Sequence, residues 1–90
     1  MKIKELLSGP EKWCQHTMAV DAAGNPIPAL SNNAVAFCLV GAVARCYPND
    51  AECGAVYQKL YFAAGTTRLV EFNDGSSFKD VRRIVEQADV

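Results

Sequence analysis

Ninety residues, half of them hydrophobic, with a net charge of −1, are enough for one domain with a real but modest core. That charge gives no global attraction to nucleic acid or to anionic lipid. The longest apolar run, Ala34 to Ala44, is far too short to span a bilayer, and the N-terminal stretch has no run of signal-peptide length.

Residues Lys2 to Leu7 form a short helical segment with Ile3, Leu6 and Leu7 on one side. Ser8-Gly9-Pro10-Glu11 reads as a second helix start, with Ser8 and Glu11 as a capping box. Two short apolar pieces, Met18–Val20 and Ile27–Ala29, flank a turn sequence in which Asp21 can close the turn and Gly24 can take positive φ. They predict a β-hairpin whose second strand, interrupted by Pro26 and Pro28, is a short edge. Ser31, Asn32 and Asn33 are candidate caps for a core helix over Ala34–Tyr47, apolar on nearly every side and stopped by Pro48. Asn49 caps the next helix, which runs to about Ala64 and turns Cys53, Val56, Tyr57, Leu60, Tyr61 and Ala64 inward. Gly65 stops it.

Arg68 to Phe72 reads as a strand that turns at Asn73-Asp74-Gly75. Ser77 and Asp80 open a last helix, Phe78 to Asp89, which buries Phe78, Val81, Ile84, Val85 and Ala88. Lys79, Asp80, Arg82, Arg83 and Glu86 are expected to face water. The expected fold class is α+β. It is a single domain over residues 1–90, with a buried central helix, two to three packing helices and a short antiparallel sheet of two to three strands.

Chemistry-bearing residues are few. Cys14 and the only histidine, His16, are the candidates for thiol catalysis, but nothing in their spacing demands a nucleophile–base pair. Cys14, Cys38, Cys46 and Cys53 lack the close pairing of structural zinc sites, so no metal is expected. Four cysteines allow three disulfide pairings. A Cys38–Cys46 bridge would have to cross roughly 12 Å of helix, beyond a disulfide's reach of about 7 Å. Four reduced thiols in a cytoplasmic protein are the expectation. There is no glycine-rich phosphate loop, which gives no cofactor, and the basic face of the last helix is broken by acids, which gives no nucleic-acid partner. Asn73 and Asp74 stand at a chain corner where, with Trp13, they could hold a small ligand or tie the corner.

Several segments taken together resemble an uncharacterised family of small proteins from bacteria and their phages. They are Trp13-Cys14, Asp21…Gly24-Asn25-Pro26, Phe37-Cys38-Leu39-Val40-Gly41-Ala42, and Phe72-Asn73-Asp74 ahead of Val81. Members of that family tend to carry tryptophan where this chain has Phe37 and Phe72, and a Thr-His pair where it has Ser77-Phe78. The resemblance implies no known activity, only a bacterial or phage setting in which a role in host–phage conflict is worth testing.

The reading that follows is a non-enzymatic intracellular protein that docks on a protein partner. A homodimer is compatible with it. Two alternatives stay open: a small-ligand-binding domain using Trp13, Asn73 and Asp74, and a thiol-dependent enzyme using Cys14.

Overall fold

The computed structural model describes all 90 residues. The elements run α1 (Ile3–Leu6), a single 3-10 turn (Pro10–Lys12), β1 (Ala19–Val20), β2 (Ala36–Phe37), α2 (Leu39–Cys46), α3 (Asp50–Ala64), α4 (Leu69–Gly75) and α5 (Phe78–Ala88). The fold is the α+β architecture expected, with one two-stranded antiparallel sheet. No helix is long and apolar enough to cross a membrane.

The core is built around α2. Leu39, Ala42 and Val43 are fully buried there, against Ile3 and Leu7 at the N-terminus, Leu60 from α3 and Val81, Ile84 and Val85 from α5. α3 starts as its sequence dictates: the Asn49 side chain accepts from the backbone N–H groups of Ala51 and Glu52. It ends at Gly65, in the left-handed conformation (φ 72°). Ser77 caps α5 by accepting from the Asp80 N–H.

Four expectations are corrected. The core helix does not begin at Ala34. Residues 35–38 are extended and hydrogen-bonded to the β1 segment, with Ala19 opposite Phe37 and Val20 opposite Ala36. Phe37 is bonded on its other side as well, since its carbonyl accepts from the Cys14 N–H. A continuous apolar run carries no period that separates strand from helix, and backbone partners on both edges decide for strand. The helix then starts at Leu39 and is capped by Cys38, whose sulfur accepts from the Gly41 N–H at 3.2 Å in place of the Ser or Asn cap expected upstream.

Second, Arg68–Phe72 is not a strand. Leu69, Phe72 and Asn73 turn inward at helical spacing while Val70 and Glu71 face solvent, which gives α4. Third, Ser8 and Glu11 form no capping box. Gly9 and Pro10 allow one 3-10 turn, and the chain then straightens at Trp13 to run beside Phe37.

Fourth, Arg82 does not simply face water. Its guanidinium donates to the carbonyls of Lys4 and Leu7, closing the C-terminal end of α1 onto α5.

The expected hairpin is half present. Asp21 accepts from the N–H groups of Ala23 and Asn25, and Gly24 has φ 86°, as the turn requires. The returning chain makes only a single bridge, Val20 with Pro26, and the true partner of β1 is β2.

Candidate functional site

The two segments that carry the chain's unusual polar residues, 13–16 and 73–76, meet in space. Asn73 sits at their junction, 1% exposed. Its amide oxygen accepts from the Trp13 indole N–H (2.7 Å) and from the Leu39 backbone N–H (3.0 Å). Its amide nitrogen donates to the Cys14 carbonyl (3.1 Å) and to the Asp74 carboxylate (3.1 Å). Two acceptor and two donor positions are all that an asparagine side chain has. One residue thus ties the Trp13–Cys14 segment, the first turn of α2 and the last turn of α4 together. The Trp13 ring closes the corner by tilting onto Phe78 (5.9 Å between centroids).

Gln15 completes the tie. Its amide nitrogen lies 3.1–3.2 Å from the carbonyls of Asn73, Asp74 and Ser76. These are carbonyls at the C-terminal end of α4, which have no partner within the helix. The sequence offered Gln15 no distinguishing mark beyond its place between Cys14 and His16.

His16 lies on the rim. It is one of two non-glycine residues with positive φ, at 69°. Such a conformation costs about 1 kcal/mol or more and needs a compensating hold. Asp74 supplies it: one carboxylate oxygen accepts the His16 N–H (2.9 Å), and the other lies 3.5 Å from the ring Nδ1. The His16 N–H bond is the main reason that the Asp74 carboxyl lies below its ordinary pKa of 3.8.

A depressed carboxyl pKa means that the unfolded chain takes up the proton first as pH falls. Asp74 therefore stabilises the fold above about pH 4, and the contribution is lost as the pH falls through the folded-state pKa. Melting temperatures between pH 5 and pH 2.5 should fall more steeply for the wild type than for Asp74→Asn.

Cys14 and His16 do not form a pair. The Cys14 thiol is 3.6 Å from the Thr17 carbonyl, to which it donates, while the His16 ring faces Asp74. Burial pushes the Cys14 thiol up to about 11, with the neighbouring Cys38 and Asp74 acting in the same direction. A nucleophilic thiol needs the opposite shift. Cys38 is also raised by burial, against the backbone N–H groups of Gly41 and Val40 that favour its thiolate. All four cysteines are free thiols. At pH 8, iodoacetamide should modify Cys14 far more slowly in the native protein than in urea; equal rates would contradict this placement.

Beside this junction the surface holds two adjoining clefts. The first, of about 210 Å³, lies between His16, Thr17, Met18, Cys38, Val70 and Asp74. Asn73 also reaches it, although its four hydrogen bonds are made elsewhere. Trp13 does not line it. The second, of about 580 Å³, shares Thr17 and Met18 and extends over Pro26, Ile27, Pro28 and Leu30. Its far wall is held by Arg45, which donates to the carbonyls of Ala29 and Ser31 and lies over the Phe37 ring at 5.7 Å. Three large apolar side chains stand exposed along the two clefts: Met18 (41%), Leu30 (63%) and Val70 (55%). Their sequence contexts, a predicted strand, a turn and a predicted strand, gave no reason to group them.

A family model described as a family of unknown function (DUF6197) matches residues 2–89. The chain belongs to that family. No curated protein and no solved structure matches it. For this DUF6197 chain the junction of Trp13, Gln15, Asn73 and Asp74 and the clefts beside it are thus the structural starting point for function.

Proposed function

We propose that this DUF6197 protein is a non-enzymatic binding protein, and that it docks on an apolar segment of another protein that carries a lysine or arginine. One observation carries the reading. The polar side chains that chemistry could use are engaged in holding the fold, whereas Met18, Leu30 and Val70 stand exposed along two adjoining clefts. Contiguous exposed apolar surface of this kind marks interaction sites. The sign of the partner's charge follows from the lining. Asp74 is the carboxylate in the clefts, and like any carboxyl whose pKa is not raised it is ionised at neutral pH. The free thiols suit a reducing, intracellular setting.

Affinity capture with four baits tests the proposal. The wild type and Phe62→Asp, which is altered away from the clefts, should retain the same partner. Leu30→Asp and Val70→Asp should lose it while melting as the wild type does. Equal retention by all four baits would overturn the assignment of the surface.

A further inference from the structure

α3 carries an exposed aromatic side chain opposite its buried face. Its inner side, centred on Val56 and Leu60, packs into the core. Its outer side is a stripe of Ala51, Ala55, Gln58 and Phe62, spaced by four, three and four residues and therefore on one face. All four are exposed, and Phe62 is 88% exposed, the most of any large hydrophobic side chain in the chain. A phenylalanine left this exposed beside small alanines, opposite the buried face, marks a surface that calls for a neighbour.

The charges beside the stripe say what that neighbour is. Glu52 and Lys59 are seven residues apart, two turns, so they lie on the same flank of the outer face, and both are exposed. A two-fold axis crossing α3 between Ala55 and Val56 sets Glu52 of one copy beside the partner's Lys59, and Lys59 beside the partner's Glu52. A parallel two-fold pair would carry this flank to opposite sides of the seam on the two copies and pair neither charge. In the antiparallel register Phe62 falls on the partner's Ala51 and Pro48. The alanines let the helices approach, and the groove of about 430 Å³ beside Phe62, between α3 and α5, takes the first turn of the partner's helix.

We infer that this chain self-associates as a two-fold dimer through an antiparallel pair of α3 helices, anchored by Phe62 and set in register by Glu52 and Lys59. The contact is isologous and closes on itself, so it gives a dimer and not a filament. It is independent of the clefts proposed for the partner protein and leaves them free on both copies.

Sedimentation velocity over a concentration series of the full chain tests this. The wild type should sediment increasingly as a species of twice the chain mass. Phe62→Asp should weaken association by at least about tenfold, since it removes a buried aromatic anchor. Glu52→Lys alone and Lys59→Glu alone should each weaken it by about tenfold, because each replaces two opposite-charge contacts by two like-charge ones. The double variant Glu52→Lys/Lys59→Glu should recover association to within about threefold of the wild type. Circular dichroism at low concentration should show the same helix content for every variant. A wild type that stays monomeric at millimolar concentration would overturn the inference. So would a Phe62→Asp variant that associates as the wild type does, or a double swap that associates no better than either single variant.

Discussion

Asn73→Ala is expected to destabilise the protein by about 3–5 kcal/mol, through loss of a buried side chain with four hydrogen bonds. The alanine leaves the Trp13 indole N–H and the Leu39 N–H facing a hole, and each buried donor without a partner costs about 1–3 kcal/mol. The whole stability of a 90-residue domain is only roughly 5–13 kcal/mol. The loss should appear as a fall in melting temperature on the order of 20 °C. Asn73→Asp separates hydrogen bonding from packing. It keeps the size and the acceptor for Trp13 and Leu39 but sets a carboxylate oxygen against the Cys14 carbonyl and the Asp74 carboxylate. The new carboxyl should have a raised pKa in the fold, so its cost is greatest at pH 7 and shrinks as the pH falls towards 5. If both variants melt within a degree or two of the wild type, Asn73 is not what ties the two segments together.

Gly41→Ala and Gly54→Ala should have opposite signs, although both lie inside helices. Alanine is favoured over glycine in a helix by about 1 kcal/mol. At Gly54 nothing lies within 4 Å of an added Cβ, so Gly54→Ala should stabilise by about 0.5–1 kcal/mol. At Gly41 the added Cβ collides with the backbone carbonyl of Met18, and the Met18 carbonyl carbon is 2.9 Å away. That carbonyl also accepts the Cys38 N–H, so it cannot swing aside without breaking the bond that leads into β2. The cost of forcing β1 off α2 exceeds the helix-propensity gain, and Gly41→Ala should destabilise by about 2 kcal/mol or more. Chemical denaturation of the two variants side by side checks both signs.

The residues in which the sequence was legible share a property. α3 and α5 each have a side-chain cap, Asn49 or Ser77, and core-side apolar residues at helical spacing, so local signals agree with tertiary packing. Asp21 and Gly24 likewise specify their turn without outside help. The misread segments lack that agreement. Ala34–Phe37 is apolar throughout, and only its pairing with β1 and with Cys14 makes it a strand. Arg68–Phe72 holds a β-branched and an aromatic residue, which suggests a strand, but its apolar positions do not alternate, and the inward placement of Leu69, Phe72 and Asn73 fits a helix.

Apart from Gln15, the residues of the junction could be named from the sequence, as candidate ligand holders, but their arrangement could not. Asn73 and Asp74 stand out as a polar pair at a chain corner, and Trp13 groups with them as a candidate small-ligand holder. The consequence, that Asn73 spends all four of its hydrogen bonds on the fold, depends on distances no sequence pattern encodes. Gln15 and the exposed trio of Met18, Leu30 and Val70 acquire meaning only once the chain has folded.

The most direct test of the docking surface is site-specific photo-crosslinking in living cells, with a benzophenone side chain at position 30, 70 or 79 in turn. Positions 30 and 70 should give the same discrete adduct with another protein. Peptide mapping should place the crosslink in an apolar segment that bears lysine or arginine, and position 79, on the exposed face of α5, should not give that adduct. Absence of a shared adduct at positions 30 and 70, or the same adduct at all three, would contradict the account.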